Sequence, residues 1–286
     1  ALRKTALLCA LGFLLPSPAA VSAQKGIADR AATYVADYQH QLIAIVADEQ
    51  YVQHVGHQVP PDPDAPRSRS TAGEVFFIFT APSRGWMAIR DVQTVDGTAA
   101  PERTNVREIL GTLPVTQVGE QMASYNARYN IGRITRNFNE PTLALLSLDE
   151  AHRSRFRFDT KKREDVGGHA LIWLAFQEKE RPTLIRSVQG RPVFMKGELL
   201  VEIANGRIWQ SRLTASIDGI NVELATEYTF DERLGLMLPI VFREFYEKGK
   251  PATQARTQAP GLLYEQITCE AKYSNFRRFE VFSRIR

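Results

Sequence analysis

Apolar residues recur at intervals of three and four positions over residues 27–45, and this is the spacing of one buried face of an α-helix. The residues that follow this spacing are Ile27, Ala31, Tyr34, Val35, Tyr38, Leu42 and Ile45. Beyond Val46 the spacing loosens, and residues 47–55 fit either a last helical turn or a first strand. The pattern predicts an amphipathic helix at the start of the folded part of the chain.

Two predicted strands follow a stretch whose composition does not favour packing. Residues 59–70 hold four prolines among charged and small residues, which predicts an exposed, mobile loop over about residues 57–71. Glu74–Phe79 is apolar after its first residue, so both faces of that strand are expected to be buried. Trp86–Val95 is the next predicted strand, and the turn signal Asp96-Gly97 closes it.

Helical spacing returns between residues 105 and 148. A proline at position 141 suits the first turn of a short helix over Thr142–Leu148. Two earlier pieces are marked by apolar positions, which are Val106, Ile109 and Leu110, and then Val118, Met122, Tyr125 and Tyr129. These pieces predict a helical insert that packs on a sheet.

The chain from Arg155 onward has the alternating pattern of an antiparallel meander. Its main predicted strands are Glu198–Ile203, Arg207–Ile217, Ile220–Phe230, Ile240–Tyr246, Leu262–Tyr273 and Phe276–Ile285.

Two turns in this region fix the predicted register. A two-residue turn at Asp218-Gly219 pairs Ile217 with Ile220 and keeps the apolar faces together. A three-residue loop over residues 204–206, with Gly206 in the left-handed region and a bulge, pairs Val201 with Trp209. This register predicts that Trp209 shares a face with Leu213 and Tyr228.

These elements together predict an α+β fold. The expected architecture is a long, curved, mostly antiparallel sheet, with the N-terminal helix and the helical insert packed on its concave face. No repeat or linker divides residues 24–286, so we expect a single domain there.

The first 23 residues have the pattern of an exporting signal peptide. Arg3 and Lys4 form a basic region, residues 5–15 form an apolar run, and Val21-Ser22-Ala23 is a small-residue cleavage site. The run is shorter than the roughly 20 apolar residues that span a bilayer, which argues against a membrane anchor. We expect cleavage between Ala23 and Gln24, a periplasmic or secreted mature protein, and membrane contact that is at most peripheral.

Composition and charge exclude few functions. The formal net charge of +4 falls to +2 when Arg3 and Lys4 are removed, which gives no support for a nucleic-acid partner in an exported protein. Basic residues do cluster over residues 153–163 and 277–286. Either these clusters are solvated strand faces, or they contact a headgroup or another polyanion.

The two cysteines provide no disulfide for the mature chain. Cys9 lies in a weak lipoprotein-like motif, but it comes too early to leave an apolar region before it. Cys269 is therefore the single thiol of the mature protein, and its alternating context predicts a small buried side chain.

No catalytic or metal-binding motif is present. His40, His54 and His57 lie near Asp48 and Glu49, but their spacing matches no zinc motif. The chain also lacks Gly-x-Ser-x-Gly, His-Glu-x-x-His and a phosphate-binding glycine loop. We therefore expect no enzyme activity, no metal and no cofactor, although a catalytic triad needs no local motif.

Three segments carry a resemblance to known proteins. Residues 129–133, 234–239 and 273–279 (YNIGR, LGLMLP and YSNFRRF) resemble, in this order after a signal peptide, a group of uncharacterised exported bacterial proteins. The layout of one helix followed by a long antiparallel sheet resembles the periplasmic lipoprotein-carrier (LolA-like) superfamily. That resemblance implies an unclosed barrel covered by helices around an apolar cavity.

The function that we predict from these observations is binding of an apolar ligand, as a carrier or sensor for a lipid or lipoprotein-like molecule in the cell envelope. The expected cavity lining is Phe77, Phe79, Trp86, Trp209, Leu213 and Tyr228. The alternative is an envelope scaffold that contacts another envelope protein through a sheet edge or the proline-rich loop. An exported hydrolase is the third class.

Overall fold

The computed structural model describes residues 18–43, 45–80, 85–101, 103, 106–112, 125, 127–136, 140–187, 189–249 and 264–279. The helices in these ranges are α1 (Pro18–Leu42) and α2 (Val106–Thr112), and 3₁₀ turns cover Leu143–Ser147 and Arg153–Arg155. The strands are β1 (Ile45–Val59), β2 (Ser68–Thr80), β3 (Gly85–Val95), β4 (Thr98–Ala99), β5 (Phe156–Val166), β6 (His169–Glu178), β7 (Ile185–Arg186), β8 (Pro192–Val193), β9 (Lys196–Glu202), β10 (Ile208–Ile217), β11 (Ile220–Asp231), β12 (Leu236–Gly249) and β13 (Tyr264–Arg278).

One large sheet dominates the fold. Its eleven strands follow the order β4-β3-β2-β1-β13-β12-β11-β10-β9-β6-β5, and all neighbours are antiparallel. Strands β7 and β8 form a separate two-stranded ribbon. The two ends of the large sheet, β4 and β5, do not pair with each other, so the sheet stays open.

The sheet curls around α1. This helix lies against β2 and β5, near opposite ends of the sheet, and also against β12 in its middle. The helix buries five residues of the predicted apolar stripe, Ile27, Ala31, Val35, Tyr38 and Leu42, and half-buries Tyr34. The predicted α+β half-barrel with the N-terminal helix on its concave face is therefore confirmed.

The helical insert differs from the prediction because its described parts divide between the two faces. The 3₁₀ turn Leu143–Ser147 packs with the core under α1. Helix α2 instead packs with Phe76 and Ile89 on the other face, where the Arg107 guanidinium lies 5.2 Å from the Phe76 ring centre. Strand β2 is buried on both faces, as its sequence predicted. The predicted helical positions Val118 and Met122 lie outside the described residues.

Strand pairing overrides the local composition at three places. Residues 47–55 belong to β1, which begins at Ile45, so the helix ends before the last apolar position of its predicted stripe. The connection between β1 and β2 covers only residues 60–67, which is shorter at both ends than the predicted proline-rich loop. The two predicted C-terminal strands are one strand, β13, because Asn275 takes φ 50° in a bulge and both halves pair with β1.

The hairpin between β10 and β11 is formed as predicted. Ile217 pairs with Ile220, and the two turn residues Asp218 and Gly219 have φ values of 50° and 81°. Positive φ at both positions is the geometry of a two-residue turn that matches the twist of the strands. None of the helices among the described residues combines the length and the apolar character that crossing a membrane requires.

Candidate functional site

Three of the predicted cavity residues lie in the packed core between the sheet and α1. Phe77, Leu213 and Tyr228 are all buried there. The Tyr228 hydroxyl donates a hydrogen bond to the Pro141 carbonyl oxygen at 2.9 Å, which fixes the chain just before the 3₁₀ turn Leu143–Ser147. Phe79 and Trp86 pair across β2 and β3, but their side chains lie outside the described residues.

Trp209 does not share a face with Leu213, so this part of the prediction is wrong. Val201 pairs with Ile208 and Leu200 pairs with Gln210, which leaves Trp209 in a bulge. The bulge turns its indole to the convex face, where it packs with Leu171, Trp173 and Leu200. There its N–H donates to the Glu202 carboxylate at 3.3 Å.

Gly206 does adopt the predicted left-handed conformation, with φ 79°. The loop has four residues, 203–206, because the Glu202 N–H donates to the Arg207 carbonyl oxygen at 2.8 Å. A Cβ atom at position 206 would lie 2.4 Å from the Arg30 carbonyl oxygen of α1. Glycine is therefore required by the turn and by the close approach of the helix.

The interior under α1 also contains buried charges. The Arg90 guanidinium pairs with the Glu49 carboxylate, and both side chains are buried. Arg136 donates to the Ile131 carbonyl oxygen at 2.7 Å and to the side chain of Gln53. We call these residues, with Glu140 and Glu244, the interior polar network.

The two other carboxyl groups of the interior polar network are held by hydroxyl groups. Glu244 accepts a hydrogen bond from the Tyr51 hydroxyl at 2.8 Å and another from Tyr246. Glu140 accepts one from the Thr142 hydroxyl at 2.7 Å. Burial raises the pKa of Glu140 to about 6, and burial also raises the pKa of Glu244. The concave side is therefore a packed mixture of apolar and charged contacts, which an acyl chain would enter only by displacing them.

The candidate nucleophile and metal ligands are not assembled into a site. Cys269 is buried, as predicted, and burial raises the pKa of its thiol to about 12, which suppresses the reactive thiolate. Glu49 pairs with Arg90, whereas Asp48 pairs with Arg277 on another face. Within the described ranges, no three His, Cys, Asp or Glu side chains are close enough together to hold a metal ion.

A depression on the convex face is the better candidate. It has a volume of about 640 Å³ and crosses five neighbouring strands, β1, β13, β12, β11 and β10. We call it the central groove. The residues whose side chains line it are Val52, His54, Arg212, Thr214, Glu223, Ala225, Arg243, Phe245, Thr268 and Glu270.

The floor of the central groove is apolar where a solvated sheet face is normally polar. Phe245 lies at its centre, opposite Thr268 on β13 and Glu223 on β11. Val52 is 48% exposed on β1, one of the most exposed large apolar residues among those described. The sequence contains a signal for this site, because Val52 and Phe245 are apolar residues at positions of their strands that face outward, where polar residues are usual. The predicted cavity lining contains neither residue, because it was drawn from the inward-facing positions of the strands alone.

The charges at the groove are balanced. Arg243 is held between Glu227 at 2.5 Å and Glu270 at 2.9 Å, and the hydrogen bond to Glu227 raises the pKa of Arg243. Arg212 instead lies 4.7 Å from the centre of the Trp173 ring. No ion pair joins Arg212 or Glu223 to another described residue.

Comparison with known proteins gives similarity at the level of solved structures alone. No protein-family model matches the chain, and no curated protein matches it. The chain is similar to the "putative outer membrane lipoprotein-sorting protein domain" of Vibrio parahaemolyticus, with a TM-score of 0.41 and 10% identity over 90% of this chain and 93% of that one.

Two further solved structures match over the same shares of the chains, 90% and 93%. A LolA superfamily protein from Nitrosomonas europaea has a TM-score of 0.33 at 13% identity. A DUF1329 family protein from Desulfovibrio piger has a TM-score of 0.33 at 8% identity. One of these three structures bears the name of the superfamily that the order of elements suggested.

Proposed function

We propose that this chain is an exported, non-catalytic binding protein of the cell envelope that carries or senses a lipid or lipoprotein-like ligand. In this proposal the acyl chain of the ligand lies in the central groove. The observation that supports the proposal most directly is the apolar floor of this groove, where Val52 and Phe245 occupy outward-facing positions of their strands.

The dimensions of the groove suit an acyl chain. Neighbouring strands lie about 4.8 Å apart, so a groove across five strands is about 19 Å long, the length of an extended long-chain fatty acid. Its volume of about 640 Å³ is within the range of small-molecule sites. Burial of Val52 and Phe245 against a ligand would remove apolar surface from water, which favours binding.

The concave side is a less suitable place for the ligand. Its core already contains Phe77, Leu213 and Tyr228, and the interior polar network occupies the space beside them. A ligand there would have to break buried ion pairs and hydrogen bonds, each of which leaves a costly unpaired group. The convex groove needs no such rearrangement.

Binding of the fluorescent fatty acid cis-parinaric acid tests the proposal. We expect saturable binding to the mature protein and a loss of affinity of about tenfold or more in Val52→Glu, because the new charge lies on the apolar floor. Val166→Glu is the matched control, since Val166 is 43% exposed on β5, outside the groove. Absence of saturable binding, or equal losses in both variants, would overturn the proposal.

A second measurement separates the carrier from the scaffold. Native mass spectrometry of protein purified from its own envelope should detect a bound lipid on the wild type and on Val166→Glu, but not on Val52→Glu. A co-purifying protein without lipid would instead favour the scaffold.

A further inference from the structure

A second pocket lies far along the sheet from the central groove, beside the start of β5. It has a volume of about 580 Å³ and lies between the 3₁₀ turn Arg153–Arg155 and the segment that leads into β7. Its lining includes His152, Arg155, Pro182, Thr183, Leu184 and Arg186. None of the lining residues is acidic.

The two arginines of this pocket have no carboxylate partner among the described residues. Arg155 donates to the Pro182 carbonyl oxygen at 2.7 Å, which orients its side chain, and it forms no ion pair with a described residue. Arg186 is exposed and forms no ion pair with a described residue. Their sequence neighbours differ, because Arg153 pairs with Asp29 and Arg157 pairs with Asp159.

A buried histidine completes the pocket. His152 is only 7% exposed. Its Nδ1 atom is fully buried without a partner. Because an unpaired buried polar group costs stability, such a group calls for an explanation, and a missing ligand or bound water is one.

Two acidic groups close to this part of the chain accept hydrogen bonds from other donors. The Glu178 carboxylate is buried and accepts hydrogen bonds from the Leu184 N–H at 2.8 Å and the Met195 N–H at 3.4 Å. Asp149 accepts hydrogen bonds from the Ala151 N–H and from Gln39. Burial raises the pKa of Glu178 and the charge of Arg155 lowers it in part, but neither carboxylate forms an ion pair with Arg155 or Arg186.

We propose that this pocket, built by His152, Arg155 and Arg186, is a binding site for a phosphate-type oxyanion. Guanidinium groups match the oxygen spacing of phosphate with two parallel hydrogen bonds, and the imidazole supplies a third donor. The anion is either a soluble phosphate or the phosphate of a lipid headgroup. Phe194, which is 44% exposed with Arg181 over its ring, is the reason for testing a membrane surface as well.

Isothermal titration of the full mature protein with inorganic phosphate at low ionic strength tests the soluble form of the ligand. The variant is Arg155→Gln with Arg186→Gln, and the charge-matched control is Arg157→Gln with Arg163→Gln, two positions on β5 outside the pocket. We expect the pocket variant to bind phosphate about tenfold more weakly or worse, and the control to bind like the wild type. Phosphate should also shift the NMR signals of His152 among the five histidines.

Sedimentation with vesicles of phosphatidylglycerol, compared with phosphatidylcholine vesicles, tests the lipid source. Phosphate binding that is lost in the pocket variant identifies a soluble phosphate or phosphoester. Selective binding to phosphatidylglycerol that is lost in the pocket variant alone identifies a headgroup. The proposal is overturned if the wild type binds neither ligand, or if the pocket variant binds as well as the control. Neither result depends on the central groove.

Discussion

The guanidinium group of Arg90 lies 2.7 Å from the carboxylate of Glu49, and only 4% and 5% of these two side chains is exposed. The pair joins β3 to β1 inside the half-barrel, where one would expect apolar contacts. Its charges have given up their hydration, so each depends on the other.

Loss of one partner of this pair should be strongly destabilising. We expect Glu49→Gln to lower the free energy of unfolding by about 3–5 kcal/mol, because it leaves the Arg90 charge buried and poorly compensated. Urea unfolding measures the change. Asp159→Asn, which removes the exposed partner of Arg157, is the control and should change stability by less than about 1 kcal/mol. Similar losses in the two variants would contradict the buried-pair explanation.

The turn at Gly206 gives a prediction with a built-in control. Gly206→Ala and Gly219→Ala both place a side chain at positive φ, which costs about 1–2 kcal/mol. Only Gly206→Ala also brings a Cβ atom against α1, since nothing lies within 4 Å of a Cβ at position 219. We expect a clearly larger loss of thermal stability for Gly206→Ala, and equal losses would show that α1 does not press on this turn.

Phe77 distinguishes a filled core from an open cavity. Its side chain is 1% exposed in the core under α1, so Phe77→Ala should cost about 3–5 kcal/mol of stability. Under conditions where this variant remains folded, its affinity for cis-parinaric acid should equal that of the wild type. A reduced affinity with unchanged stability would place the ligand on the concave side instead.

The stability of the protein should depend on the protonation of Glu140. Burial raises the pKa of this carboxyl from 4.5 to about 6, so the folded state holds the proton more tightly than the unfolded chain does. This contribution is full below about pH 4.5 and is lost as the pH rises through about 6. Its size is about 2 kcal/mol.

Glu140→Gln should remove that part of the pH dependence. Between about pH 4.5 and about pH 7.5 the wild type should lose about 2 kcal/mol more stability than the variant. Glu223→Gln removes an exposed carboxylate and is the control. It measures how much the loss of a surface charge changes the free energy of unfolding over the same pH range. Unfolding curves with the same pH dependence for wild type and Glu140→Gln would contradict the prediction.

Export should produce a mature N-terminus at Gln24. The first side chains of α1 with described core contacts are Ile27 and Ala28, so cleavage before Gln24 leaves these contacts intact. Mass spectrometry of protein from the envelope fraction measures the N-terminus directly. Recovery of the chain with residues 1–23 still attached would refute cleavage.

Local patterns predicted the elements correctly where the backbone hydrogen bonds are made within the element or with the strand next to it in the sequence. The stripe from Ile27 to Leu42 predicted α1, and Asp218-Gly219 predicted its hairpin. The apolar phases of β2 predicted burial on both faces. A few adjacent positions set the period of apolar residues and the φ values that turn residues favour. Local sequence is therefore enough to predict these features.

Bulges and distant pairing were decided by the tertiary structure. The bulge at Trp209 places that side chain on the face opposite to the predicted one. At Asn275 a turn was expected between two strands, but the residue forms a bulge and the strand continues through it. The partner of β1 is β13, more than two hundred residues away, and no local pattern specifies such a partner.

The sequence by itself determined the α+β class, the helix-first order and the inward phase of most strands, because the periods of apolar residues are local. Only the tertiary structure decided which charges are neutralised. Arg153, Arg155 and Arg157 alternate along the chain, yet folding gives carboxylate partners to the outer two and leaves Arg155 without an ion pair to a described residue. A charge is neutralised by whatever lies within a few ångströms, and those neighbours come from strands far apart in the sequence.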